Sequence, residues 1–185
     1  MIDKIVFFLE EPSAREMLEG LLPRILPKGV QHQCVVFEGK SDLEKRMGRR
    51  LRAWREPNVC FLVMRDQDSA DCHQVKQRLV EICREAGKPD TIVRVACREL
   101  ESWYLADLQA VEAGLGIRGL ARQQGRAKYR HPDAIPSPSR ELSTLTRGHY
   151  QKVAGSRDIG PHLDIANQRS NSFKVLVRGI QAAVT

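Results

Sequence analysis

Val59-Cys60-Phe61-Leu62-Val63-Met64 is an unbroken apolar run, preceded by Pro57-Asn58 and closed by Arg65-Asp66-Gln67-Asp68. It is too short for an ordinary helix, and it does not alternate polar with apolar as a half-exposed strand would. The pattern is that of a strand buried on both faces, the usual state of a strand in a parallel sheet. The turn residues on either side bound it, so it is read as central.

Working outward, Ile5-Val6-Phe7-Phe8-Leu9 is a second run of the same kind, stopping at Glu10-Glu11-Pro12. Met17, Leu18, Leu21, Leu22 and Ile25 then recur at helical spacing, with Ser13 and Glu16 placed as a capping box and Pro23 set to kink or end the helix. Cys34-Val35-Val36-Phe37 reads as another strand. Ser41 and Glu44 repeat the capping signal before Leu43, Met47 and Leu51. Downstream of the central run, Val75, Leu79, Ile82 and Cys83 share one helical face, the helix ends near Gly87, and Thr91–Ala96 forms a fourth strand.

This alternation predicts an α/β fold of about four parallel strands, joined by right-handed crossovers and flanked by helices. From Leu100 the pattern changes to helix and loop, and a last amphipathic helix over Ser172–Ala183 carries Phe173, Leu176, Val177 and Ile180. The expected organisation is an α/β core over residues 1–110 and a helical, loop-rich extension over 111–185 packed on it as one compact unit.

The 185 residues are 42% hydrophobic, enough for a core without covalent staples. The five cysteines are scattered without a C-x-x-C pair, which predicts reduced, mostly core thiols and a cytoplasmic setting. No run approaches the length of a signal segment or a membrane span. The net charge of +7 makes polyanions, nucleic acid among them, plausible partners.

In open α/β sheets ligands bind beyond the carboxyl ends of the strands, where strand order reverses. Here Glu10 ends the first strand, while Asp66 and Asp68 follow the third, so the three acids are expected in one crevice. Two carboxylates about 4 Å apart repel by roughly 4 kcal/mol at an effective dielectric near 20. A divalent ion is the simplest relief, and all-oxygen donors with retained waters suit Mg²⁺, with Mn²⁺ as a substitute. Glu10 would then ligate or act as general base. The alternative makes Asp66, Asp68 and Asp71 turn and N-cap residues.

The Glu after the first strand and the D-x-D after the third resemble the Toprim domains of primases, topoisomerases and overcoming-lysogenization-defect nucleases. Phe8-Leu9-Glu10-Glu11-Pro12-Ser13, Arg65-Asp66-Gln67-Asp68-Ser69 and Glu99-Leu100-Glu101-Ser102-Trp103-Tyr104-Leu105-Ala106-Asp107 look like a bacterial Toprim-like family of unknown function, domain of unknown function 4276. Arg169-Ser170-Asn171-Ser172-Phe173 fits too. The resemblance spans nearly the whole chain, with one departure: Glu11 stands where the typical Toprim Glu is followed by Gly. It implies a Toprim/Rossmann-like fold and Mg²⁺-dependent chemistry on nucleic-acid phosphodiesters, often in mobile-element or phage-defence settings beside an ATPase partner.

Further acids that could join the site are Glu101, the preferred fourth ligand, with Glu99, Glu11 and Asp71. A basic stretch of Lys40, Lys45, Arg46, Arg49 and Arg50 could grip phosphates along a helical face. A second set, Arg118, Arg122, Arg126, Lys128 and Arg130, interleaves with Tyr129 and His131. Gly39-Lys40-Ser41 lacks the Gly-rich lead of a phosphate-binding loop, and no His lies at i, i+4 from another. A dehalogenase-type D-x-D belongs after the first strand, and a receiver domain needs a fifth strand with its lysine, so both are set aside. The reading is a metal-dependent nuclease-like enzyme; the alternative is a non-catalytic nucleic-acid or protein-binding module with a structural cation. Neutralising Arg46, Arg49 and Arg50 together is expected to weaken nucleic-acid binding and flatten its salt dependence, as measured by titration across an ionic-strength series.

Overall fold

The computed structural model describes residues 2–185. Its sheet has four parallel strands, β1 (Lys4–Leu9), β2 (Gln31–Val36), β3 (Val59–Asp66) and β4 (Ile92–Ala96), in the order β2-β1-β3-β4. The chain leaves β1 for β2 on one side and returns past β1 to β3 on the other, so strand order reverses between β1 and β3. The register there runs from Lys4 opposite Val59 to Leu9 opposite Met64. Glu10 and Arg65-Asp66 therefore emerge side by side at the carboxyl edge.

Among the described residues eight α-helices accompany the sheet: α1 (Pro12–Leu21), α2 (Lys40–Ala53), α3 (Cys72–Glu85), α4 (Glu101–Leu105), α5 (Leu108–Leu115), α6 (Pro138–Leu145), α7 (Lys152–Ile159) and α8 (Asn171–Ala183). Because successive side chains on a strand point to opposite faces, the apolar runs feed two cores. Ile5, Phe7, Leu9, Leu62 and Met64 pack with α1, α4, α5, α7 and α8. Val6, Phe8, Phe61, Val63 and Val93 pack with α2 and α3, and Trp54 sets its ring edge-on to Phe61 at 5.7 Å. The α/β class, the parallel sheet and the helical C-terminal part are as the apolar pattern predicts. No helix among the described residues is long and apolar enough to cross a membrane.

Local signals fare unevenly. Pro23 does end α1, opening a 3₁₀ turn at Leu22–Arg24. Neither expected capping box forms. At α1 the cap residue is Glu11, with Pro12 at the first helical position; the Ser13 hydroxyl donates to Glu11 at 3.4 Å, and Glu16 is drawn to Arg15 and Arg157 at 2.7 and 2.6 Å. At α2 the cap is Gly39 at φ 90°, and Glu44 accepts from Arg65 at 2.6 Å. In both cases an arginine outbids the backbone N–H for the glutamate, since a charge-assisted bond is the stronger. Asp71 and Ser170 supply the side-chain caps of α3 and α8. All five cysteines are free, but only Cys83 is fully buried; the others are half-buried.

The segment carrying α7 closes on α1 through glycines that leave no room for a side chain. A Cβ at Gly20 would lie 2.5 Å from the Pro161 ring, and one at Gly160 would lie 2.6 Å from the Met17 carbonyl oxygen. Gly114 meets the Asp158 carbonyl in the same way, at 2.5 Å. Overpacking of this kind typically costs about 1–3 kcal/mol. Gly160→Ala is therefore expected to lower the melting temperature, by about 2–4 °C for each kcal/mol lost in a chain of this size, as read by thermal unfolding.

Candidate functional site

Glu10 follows β1 and is 8% exposed. Its Oε2 accepts the backbone N–H of Asp66 at 3.0 Å and lies 3.9 Å from Arg65 Nε. Burial raises its carboxyl above the ordinary range, against the pull of the Asp66 amide and Arg65. Arg65 itself is almost wholly enclosed. It donates to Glu44 at 2.6 Å and to the Asp66 carbonyl at 3.0 Å, and stands 3.9 Å from Asp68.

Asp66, the last residue of β3, is half-buried, and its carboxylate has no hydrogen-bond partner among the described residues. Burial holds this carboxyl well above its usual range; the charges of Glu101 and Glu10 add to the effect, and Lys152 opposes it. Glu101, at the start of α4, is fully buried. One oxygen accepts the Tyr150 hydroxyl at 2.9 Å, while the other, Oε2, is buried with no partner. Burial raises its carboxyl too. The Tyr104 hydroxyl nearby is also buried and unpartnered, its ring edge-on to Tyr150 at 5.9 Å. Buried oxygens left unsatisfied are costly, and such groups cluster where a ligand belongs.

The remaining acids divide. Glu11 is paired with Lys152 of α7. Asp68, in the left-handed conformation at φ 57°, gives its carboxylate to Lys40 at 2.7 Å. Asp71 caps α3, accepting from the amides of His73 and Gln74, and Glu99 accepts the Ser139 amide at 2.7 Å, anchoring α6. Lys40 thus belongs to the acidic edge rather than to the basic helical face. Lys45, Arg46, Arg49 and Arg50 are all exposed on α2; Arg46 pairs with Asp42 at 3.1 Å, and Arg50 lies over the Phe37 ring.

Among the described residues no three His, Cys, Asp or Glu side chains are gathered closely enough to hold a metal ion. Glu10, Asp66 and Asp68 meet at one edge but do not form a cage, because Glu10 is turned to an amide and Asp68 to a lysine. A small cleft lined by Glu10, Glu11, Arg65, Asp66 and Leu100 encloses about 10 Å³, the room of about one water. Asp66 in its wall and Glu101, which follows Leu100 of the wall and whose charge acts on Asp66, offer only oxygen, which suits a hard cation such as Mg²⁺. Sequence reasoning missed Arg65, Tyr150 and Lys152. The one available signal was an arginine at the end of an otherwise apolar strand.

A parallel α/β domain with acids at the carboxyl edge, where strand order reverses between β1 and β3, is the class that fold and site define. The chain belongs to the family described as Domain of unknown function (DUF4276), whose model matches residues 9–181, from the end of β1 through most of α8. In structure it is similar to the C-terminal region of the Burkholderia pseudomallei OLD protein, with a TM-score of 0.57 and 14% sequence identity over 98% of each chain. No curated protein matches it in sequence. Family and fold agree with the Toprim-like resemblance.

The raised carboxyls give a pH dependence of definite sign. An acid whose folded pKa lies above its unfolded one binds a proton in the folded state that the unfolded state has already released. Stability therefore falls as pH rises above about 4, the ordinary carboxylate range, until the raised values are passed. Asp66→Asn removes one such group, so in chelator the variant is expected to be the more stable at neutral pH. The difference between the two melting curves should vanish toward acid pH; a difference that does not change with pH would exclude Asp66 as the source.

Proposed function

We propose that the chain is a metal-dependent, nuclease-like phosphodiesterase acting on nucleic acid. The observation that carries this is the buried, unpartnered Oε2 of Glu101 beside Asp66, a carboxylate that also lacks a hydrogen-bond partner among the described residues. Two desolvated carboxyls whose charges oppose each other are a cation site in waiting. Asp66 and Glu101, with Glu10 beside them, would hold Mg²⁺, or Mn²⁺ in its place. That ion supplies a polarised phosphoryl oxygen and an activated water when bound.

The chain's own residues do the rest. Tyr150 orients Glu101 by donating to one oxygen and leaving the other free. Glu10 fixes the end of β3 through the Asp66 amide. Lys152 tempers the negative field on Asp66 and Glu101 while holding Glu11. The exposed arginines of α2 give the phosphate backbone a basic surface. Tyr104, Tyr129 and Tyr150 are all buried, which favours hydrolysis over transfer to a tyrosine.

A second reading, a binding module without catalysis, draws on the Lys40–Asp68 and Lys152–Glu11 pairs, which already neutralise two of the acids. Cleavage of single- and double-stranded DNA and RNA in Mg²⁺ or Mn²⁺ decides between them. Asp66→Asn and Glu101→Gln are expected to lose Mn²⁺ binding, followed by electron paramagnetic resonance, and to lower cleavage on the order of 10²-fold or more. Nucleic-acid binding without cleavage by the wild type would favour the second reading. Retained cleavage in the double variant would sink the first.

A further inference from the structure

The cavity formed between the end of α5 and the end of α6 has a chemistry of its own. It encloses about 390 Å³ and is lined by Arg118, Arg147 and His149, with no acidic residue in its wall. Both arginines are exposed, and among the described residues neither guanidinium has an ion-pair or hydrogen-bond partner. His149 Nδ1 is held by the Thr146 carbonyl at 2.8 Å, which leaves Nε2 free. Arg147 sits at φ 52°, a backbone conformation that a residue with a side chain rarely adopts. The rest of the wall includes Ile117 and Leu145, which are apolar and half-buried, and Gln123.

We propose that this cavity binds the phosphate of a nucleotide, either free or at the end of a strand. Two unpaired guanidiniums present forked donors that match phosphate oxygens. Inorganic phosphate would fill little of the volume. A cavity of this size suits a small organic ligand, with the apolar wall for the flat face of a base and the Gln123 amide for its edge. The same segment leads into the acidic edge: the Thr146 hydroxyl accepts the Tyr150 amide at 3.2 Å, and the Tyr150 hydroxyl holds Glu101 at 2.9 Å. That connection matters to catalysis only on the reading proposed above. The phosphate site stands apart from it.

The test is calorimetric titration in chelator, so that no metal at the acidic edge takes part. The probes are a nucleoside and its 5′-monophosphate, and an oligonucleotide with a 5′-hydroxyl or a 5′-phosphate. The phosphorylated member of at least one pair is expected to bind tenfold or more tightly. Arg118→Gln/Arg147→Gln should abolish that difference, while Arg122→Gln/Arg126→Gln and Asp66→Asn should keep it. A phosphate-dependent gain confined to the oligonucleotide identifies the strand end as the source; a gain with the mononucleotide identifies a free nucleotide. The proposal is overturned if neither pair shows a gain, or if Arg118→Gln/Arg147→Gln retains it. Because Asp66→Asn serves as a control, failure of the metal centre would leave this result intact, and the reverse also holds.

Discussion

The hydrogen bond from the Asp66 amide to the Glu10 carboxylate, 3.0 Å long, ties together the ends of the two central strands where the sheet changes direction. Neither residue could hold this position alone. Glu10 is buried beyond the last paired residues of β1, and a buried carboxylate needs donors; the Asp66 amide is one, and Arg65 at 3.9 Å supplies charge. In return the bond fixes where β3 stops, and so where the Asp66 side chain begins. The carboxylate of Asp66 itself has no hydrogen-bond partner among the described residues. The crossing that creates the crevice also creates its unmet charge.

Four basic groups manage the charge of this edge, with unequal force. Arg65 is nearly inaccessible and bonded to Glu44, so it acts in a low dielectric as a structural member. Lys40 and Asp68 meet in a largely solvated setting, where an ion pair contributes about 0–1 kcal/mol and opens easily. Lys152 is intermediate: it is bound to Glu11, and its charge lowers both Asp66 and Glu101. Arg157 on the outer face of α7 pairs with Glu16 of α1. The weakest pair involves Asp68, which faces solvent. Of these contacts the Lys40–Asp68 pair opens at the smallest cost, whereas the arginine pairs stay closed.

The strands were legible because each is apolar on both faces, a pattern that depends on composition over a few residues and on no distant partner. Glu10, Asp66 and Asp68 were legible because they stand at the ends of those runs. The capping boxes were misread at Ser13 and Ser41 for the opposite reason. Glu16 and Glu44 have local partners in sequence, but Arg157 and Arg65 compete for them from 141 and 21 positions away. Tyr150 and Lys152 lay out of reach on the same ground. Nothing near residue 150 marks it as facing Glu101, 49 positions away in sequence.

The packing of α7 on α1 makes the helical C-terminal part a component of the acidic edge rather than a covering for the sheet. Two of the residues that set the charge of Asp66 and Glu101 come from α7 or the turn before it, and α7 is seated by glycines pressed against α1. Glu11, which receives Lys152, immediately precedes α1. A close approach of backbone to backbone is the least adjustable contact a protein has, since no side chain can yield. The separation of α7 from α1 therefore sets how near Lys152 and the Tyr150 hydroxyl stand to the carboxyl ends of β1 and β3. A strand-end acid becomes a site only when something distant decides how much of its charge is left uncompensated, and here Lys152 and Tyr150 take that part from a segment seated on α1 at Gly20 and Gly160.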